Sequence, residues 1–390
     1  MALLTENDRK YTNPLDICTH LGDEYHKYNG AIVPPIYQNS LFVMPTETNG
    51  VTNQEYSYTR ASNPTIDIAE RKIAALEGGD GALCFSSGMA AISTAILYFV
   101  KKDCHVILAA SSYSGALGVI RDYLPQKFGV QFTFVNGNSV EEIENAIQDN
   151  TTLIYIESPS TFIFRMLDLE KVAKIAKKHG IGTIIDNTYA TPLHQNPLKY
   201  GIDIVCHTAS KYLGGHSDIV AGALISRKEI IENIGNKERI IFGGCMDPHQ
   251  AWLLIRGIRT LPMRLKQHGE NGMKVAEFLE NHKNVRKVFY PGSKTFEQND
   301  LFEKYLSGTN GLLSFEPKGS KEQIEKFIGK LHYFQNGCSW GGFESLAVHI
   351  TADATGIKFG QPENLVRLHV GLEDVNTLIA DLNEALKVFD

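Results

Sequence analysis

Between residues 82 and 207, short apolar runs alternate with amphipathic segments, and this alternation restricts the fold more than any other feature of the chain. Ala82–Phe85, Val106–Ala109, Phe132–Val135, Leu153–Ile156, Gly182–Ile185 and Ile204–His207 read as strands. Met89–Val100, Val140–Ile147 and Leu169–His179 lie between them and carry apolar residues at helical spacing. Strands separated by helices predict an α/β fold around a mostly parallel, doubly wound sheet. Functional residues are then expected at the carboxyl ends of the strands.

The flanks read differently. Residues 1–60 are rich in Asn, Pro, Thr and Tyr and show no sustained period, so they read as an arm that needs another surface to pack on. A helical pattern begins at Pro64 with Ile66, Ile68, Ala69, Ile73 and Leu76, and Gly78-Gly79 stops it. Past residue 250 the alternation loosens into the long helices Gln250–Leu261 and Leu265–His282, a strand-and-helix region, and a last helix at Val375–Val388. Three parts are expected: an arm over 1–60, a large α/β domain over 61–250 and a smaller C-terminal α/β domain over 251–390. A chain of 390 residues has the length for one large and one small core.

Composition narrows the partners. Hydrophobic residues make up 43% and charged residues 21%, as in globular proteins. The formal net charge is −6 and the basic residues form no block, which argues against nucleic acid as a partner. None of the six cysteines forms a CxxC pair, so no zinc or redox motif is expected, and no histidine spacing suggests a metal. No apolar run approaches the ~18 residues of a membrane span. Met1–Lys10 is polar and unlike a signal peptide, so the expected compartment is the reducing cytoplasm, away from any membrane.

Three stretches carry chemistry. In His207-Thr-Ala-Ser-Lys-Tyr-Leu-Gly-Gly-His-Ser-Asp218, Lys211 follows a buried strand, with the hydroxyls of Thr208 and Ser210 beside it. A lysine so placed can form an imine with an aldehyde cofactor, although the segment alone is equally a polar surface turn. Ile184-Ile185-Asp186-Asn187-Thr188 ends an apolar strand in a carboxylate, the partner that a pyridine nitrogen requires; a turn or cap aspartate looks the same. Phe85-Ser-Ser-Gly-Met-Ala90 joins a strand to a helix start, where backbone N–H groups favour a phosphate. It lacks the Gly-Lys-Ser/Thr ending of a P-loop, and the chain has no GxGxxG fingerprint, so a nicotinamide dehydrogenase is disfavoured.

These stretches, together with Arg256-Gly-Ile-Arg-Thr-Leu261, Arg264-Leu-Lys-Gln-His268, Ser339-Trp-Gly-Gly-Phe-Glu-Ser-Leu346 and Val366-Arg-Leu-His-Val-Gly-Leu-Glu-Asp374, resemble the transsulfuration, or Cys/Met metabolism, family of pyridoxal-phosphate enzymes over nearly the whole chain. Within the family the motifs are most similar to the bacterial cystathionine β-lyase branch. The resemblance implies an aspartate-aminotransferase-like large domain, fold type I, that binds pyridoxal 5'-phosphate. Lys211 would carry the cofactor and move the Cα proton, Asp186 would pair with the pyridine nitrogen, and Tyr113 would stack on the ring and take a catalytic part by assisting proton transfer. Gly88, Met89, Thr208 and Ser210 would bind the phosphate, and Tyr58 and Arg60 would reach the phosphate of a neighbouring subunit. Arg367 would hold the substrate carboxylate, with Ser339, Trp340 and Tyr58 alongside. The resemblance also implies a homo-oligomer, a dimer of dimers, acting on a small amino acid.

Departures from the family pattern point to one reaction. Tyr113 is followed by Ser-Gly-Ala where methionine γ-lyases typically have Gly-Cys. Thr161 stands where γ-acting members have an asparagine, and Cys338 stands where they commonly have a glutamate. The expected reaction is therefore cleavage of cystathionine, or a related cysteine S-conjugate, to a thiol, pyruvate and ammonia. The alternatives are the family's other reactions: cystathionine γ-lyase, cystathionine γ-synthase, methionine γ-lyase or O-acetylhomoserine sulfhydrylase.

Overall fold

The computed structural model describes residues 2–52, 55–109, 111–351 and 360–390. Eight strands form the larger sheet: β1 (Ala2–Leu3), β2 (Gly81–Phe85), β3 (His105–Ala109), β4 (Gln131–Val135), β5 (Thr151–Glu157), β6 (Gly182–Asp186), β7 (Ile204–His207) and β8 (Gly222–Ser226). Their spatial order is β1-β2-β8-β7-β6-β5-β3-β4. The run from β4 to β7 is parallel throughout, and β8 lies antiparallel to both β2 and β7. Every residue of β2, β3, β7 and β8 is buried, because helices cover both faces of the sheet. Such strands read as unbroken apolar runs, which is the pattern in the sequence.

Two antiparallel relations define where the site lies. Since β8 reverses against β7, and β2 reverses against β8, β2 runs in the same direction as β7. The carboxyl ends of β2, β3, β5, β6 and β7 therefore share one edge. They deliver Phe85, Ala109, Glu157, Asp186 and His207 there. Loops at that edge of an α/β sheet form the natural crevice for a ligand.

A second, mixed sheet contains β9 (Val285–Phe289), β10 (Leu312–Pro317), β11 (Gln335–Asn336), β12 (Leu346–Thr351) and β13 (Asn364–His369), in the order β11-β12-β13-β10-β9. The 20-residue helix Leu261–Glu280 links the two cores. Its Leu261 and Leu265 pack with the first, and its Val275, Ala276 and Leu279 pack with the second.

The N-terminal region divides into two physically different pieces. Strand β1 extends the large sheet, and Ile17, Cys18 and Leu21 are buried against the helix Pro64–Glu77 and its neighbours. This part packs on its own chain, contrary to the expectation for the arm as a whole. Beyond it the chain exposes apolar side chains: Ile32 is 73% exposed, Leu41 60%, Val43 63% and Met44 61%. No helix among the described residues is long and apolar enough to cross a membrane.

Candidate active site

The residues at the strand ends close into a ring of contacts. Asp186 is buried at the end of β6, and its Oδ1 accepts from the amide of Thr188 at 2.9 Å and from its hydroxyl at 2.5 Å. That hydroxyl in turn accepts from the amide of Thr208 at 2.8 Å. The Thr208 side chain abuts Gly88 so closely that a Cβ on Gly88 would lie 2.3 Å from Thr208 Oγ1. Gly88 and Met89 begin the helix Gly88–Phe99, which Ser87 caps by accepting from the amide of Ala90 at 3.0 Å. The first amides of a helix have no intrahelical partner, so those of Gly88 and Met89 are available to an anion. Met89 meets Tyr113 across Gly115, where a Cβ would come within 2.3 Å of Met89 Sδ and 2.6 Å of the tyrosine ring. The amide of Tyr113 donates to Glu157 Oε2 at 2.7 Å, and Glu157 pairs in register with Asp186 across β5 and β6.

Burial sets the electrostatics of this ring. It pushes the Asp186 carboxyl up from the usual carboxylate range, against the two Thr188 hydrogen bonds that favour ionisation. Both bonds fall on Oδ1, which leaves Oδ2 for a cationic N–H. Glu157 is pushed well up by burial and by Asp186 beside it. Beneath them, His207 Nε2 lies 3.2 Å from Glu77 Oε2, and Asn187 donates to Glu77 Oε1 at 2.8 Å. Ser210 sits on the backbone of the turn's far side. Its hydroxyl accepts from the Ala221 amide at 2.9 Å and points back to the Ala221 carbonyl at 3.2 Å.

The second sheet supplies the opposite wall. Lys211 Nζ donates to Ser339 Oγ at 2.7 Å and lies 5.6 Å from the centre of the Trp340 ring. Arg367, on β13, is buried, and its guanidinium donates to the carbonyl of Cys338. Burial lowers the Arg367 pKa to about 10. Burial and the Arg367 charge lower that of Lys211, favouring the neutral amine that a nucleophile needs. Lys211, in the turn that follows β7 of the first sheet, thus lies together with Ser339, Trp340 and Arg367, the last on β13 of the second.

Tyr58 and Arg60 do not join this cluster within one chain. They stack on each other at 5.3 Å and line a separate cavity of about 550 Å³ with Gln38, Asn39 and Cys245–Pro248. Four of the six cysteines are buried, Cys245 is half-buried and Cys338 is exposed. Thr188, Glu157 and Gly115 join the site without having been singled out in the sequence. Glu157 ends an apolar strand in an acid just as Asp186 does, and that shared signal marks it.

A buried carboxylate with one free oxygen, a helix start with free amides and an amine of lowered basicity fit one cofactor class, pyridoxal phosphate. Comparison with known proteins specifies the group. The model of the Cys/Met metabolism PLP-dependent enzymes matches residues 16–387, and the chain belongs to that family. Cystathionine gamma-lyase of Bacillus subtilis is 39% identical over 375 residues, covering 94% of this chain and 96% of that protein. L-methionine gamma-lyase of Pseudomonas putida is 37% identical, covering 94% and 96%, and cystathionine beta-lyase of Lactococcus lactis subsp. cremoris is 38% identical, covering 94% and 97%. The solved structure of metB from Corynebacterium glutamicum superposes with a TM-score of 0.92 at 34% identity, over 98% of this chain and 99% of that one. The protein is a pyridoxal-phosphate-dependent lyase of the transsulfuration type, and the fold expected from the sequence is the one observed.

Proposed function

We propose that the protein is a carbon–sulfur β-lyase that cleaves cystathionine, or a related cysteine S-conjugate, to a thiol, pyruvate and ammonia. The observation that carries this reading is the confinement of Lys211. Its amine is tied to Ser339 Oγ at 2.7 Å and walled by Trp340. A β-elimination asks the lysine to move one proton, at Cα. A γ-elimination asks for a second deprotonation, at Cβ, and so for a base with wider reach. Thr161 and Cys338, in place of the asparagine and glutamate of γ-acting members, support the same choice. The competing reading is γ-lyase activity, named in relatives at 39% and 37% identity, which lie as near as the β-lyase at 38%.

In this reading each residue has one task. Arg367 grips the substrate carboxylate through its planar fork. Asp186, held by Thr188, keeps the cofactor's pyridine nitrogen protonated. The amides of Gly88 and Met89, with Thr208 and Ser210, hold the phosphate, and Ser210 turns from Ala221 to do so. Tyr113 covers the ring. When bound, pyridoxal phosphate supplies the electron sink for the Cα carbanion. Lys211 would hold it and, once the substrate amine has displaced the lysine, would take the Cα proton; loss of the Cβ–S bond would release the thiol, and one water would account for pyruvate and ammonia as the other products. Hydrogen exchange tests the confinement of the lysine. Cystathionine recovered from deuterated water should carry deuterium at the Cα of its cysteine half. Exchange at Cα and Cβ of the homocysteine half would overturn the reading.

The active unit in this proposal is a homo-oligomer. The exposed apolar residues from Ile32 to Met44 favour a protein partner over water. Tyr58 and Arg60, which line a cavity with Cys245–Pro248 on their own chain, would complete a neighbour's phosphate site. Mixed Arg60→Ala and Lys211→Ala subunits should then recover up to about a quarter of wild-type activity, because a mixed dimer contains one site with both native residues. No recovery on mixing, with each variant inactive alone, would remove the shared site.

A further inference from the structure

His369 is buried on β13 two residues beyond Arg367, so both side chains leave the same face of the strand. Between them they hold the loop 338–342. Arg367 donates to the carbonyl of Cys338, and His369 Nε2 lies 3.1 Å from both the amide of Gly341 and the carbonyl of Gly342. Whichever tautomer the ring adopts, Nε2 meets one of these groups. Its Nδ1 has no partner among the described residues, so Nε2 is the ring's polar attachment.

The loop is pressed against the lysine itself. Gly341 adopts φ +83°, and a Cβ there would stand 2.6 Å from the Tyr212 amide nitrogen and 3.0 Å from Lys211 Cα. One residue earlier, Trp340 packs on Tyr212 at 5.5 Å, and Tyr212 meets His369 at 5.9 Å. His268 backs the cluster, its ring 5.1 Å from that of His369 and its Nδ1 2.9 Å from the Val370 carbonyl. Burial and the neighbouring His268, Arg367 and Lys211 keep His369 neutral, as a ring that must both fit and hydrogen-bond here requires.

The geometry points to His369 as a positioning residue: by fixing Gly341 and Gly342 it sets Ser339 against the Lys211 amine and Trp340 beside it. This rests on Lys211 being the cofactor lysine and is independent of which carbon–sulfur bond breaks. The test compares His369→Gln, whose amide reaches the place of Nε2, with His369→Leu, which fills the space without a polar atom, both as holoenzymes. His369→Leu should lower kcat by roughly 10–100-fold, the scale of a misplaced catalytic group, and move the pH midpoint of the cofactor's visible absorbance. His369→Gln should return both to within about 3-fold of wild type. Combined with Ser339→Ala, His369→Leu should add little, because both act through one contact. If His369→Leu yields no folded protein, His369→Asn, whose amide stops short of Nε2, takes its place. Equal behaviour of the Gln and Leu (or Asn) variants, or full multiplication of their effects with Ser339→Ala, would overturn the inference. A wild-type protein without lysine-bound cofactor absorbance would instead sink the reading on which it rests.

Discussion

Lys211→Ala should remove the visible absorbance of the lysine-bound cofactor and reduce turnover by roughly 10⁴-fold or more, while leaving the fold intact. The size of the loss follows from the two tasks proposed for the lysine, carrying the aldehyde and moving the Cα proton. Stability should change little, because Lys211 is only half-buried and its side chain makes one hydrogen bond, to Ser339. Borohydride reduction of the wild type, followed by peptide mapping, should find the cofactor on Lys211. A reducible cofactor retained on another lysine of the Lys211→Ala variant would refute the assignment.

Arg367→Ala should lower kcat/KM by about 100-fold or more, mainly through KM, while the cofactor absorbance persists. Arg367 is 7% exposed, so its removal withdraws a largely desolvated charge from the place where a carboxylate would arrive. Arg367→Lys should recover only part of the loss, since an ammonium is a point charge and cannot pair with both carboxylate oxygens in one plane. The Arg367 guanidinium also holds the Cys338 carbonyl, so kcat is expected to fall as well, by a smaller factor than KM rises. Unchanged steady-state kinetics in Arg367→Ala would remove the role.

The sequence revealed the sheet where burial is complete and stayed silent where pairing is a long-range choice. Ile204–His207 and Leu169–His179 have the bounds expected of them, and the strand expected at Val106–Ala109 begins one residue earlier, at His105. A strand buried on both faces must be an apolar run, and a helix over it must be amphipathic, so local composition suffices. Strand β8, Gly222–Ser226, went unnoticed. Its small residues do resemble the other strands, but only its insertion between β2 and β7 makes it one, and those partners are about 140 and 20 residues away. The helical stretch from Ser114 to Phe128 was also missed; Gly115, Gly118 and Pro125 disguise it, and a π turn at Gly118–Tyr123 breaks its period.

The site divides along the same line. Lys211 and Asp186 could be noticed because each follows an apolar strand, and strand ends are where α/β sheets place ligands. Glu157 carried the same signal. Arg367 and Ser339 offer no local sign of chemistry; only resemblance marked them, and only the folding of the second sheet over the first brings them to the lysine. Thr188 illustrates a further limit. A threonine two residues past an aspartate is an ordinary turn residue until its hydroxyl is found linking Asp186 to the Thr208 amide.

The choice between β- and γ-cleavage is tested most directly by the keto acid formed from cystathionine. Sulfur in this substrate joins the Cβ of a cysteine half to the Cγ of a homocysteine half. Cleavage at Cβ yields pyruvate, ammonia and homocysteine; cleavage at Cγ yields 2-oxobutyrate, ammonia and cysteine. One incubation of the holoenzyme with cystathionine, followed by mass identification of the keto acid, separates the two. Predominant pyruvate is the result expected from a lysine confined by Ser339 and Trp340, and predominant 2-oxobutyrate would contradict it.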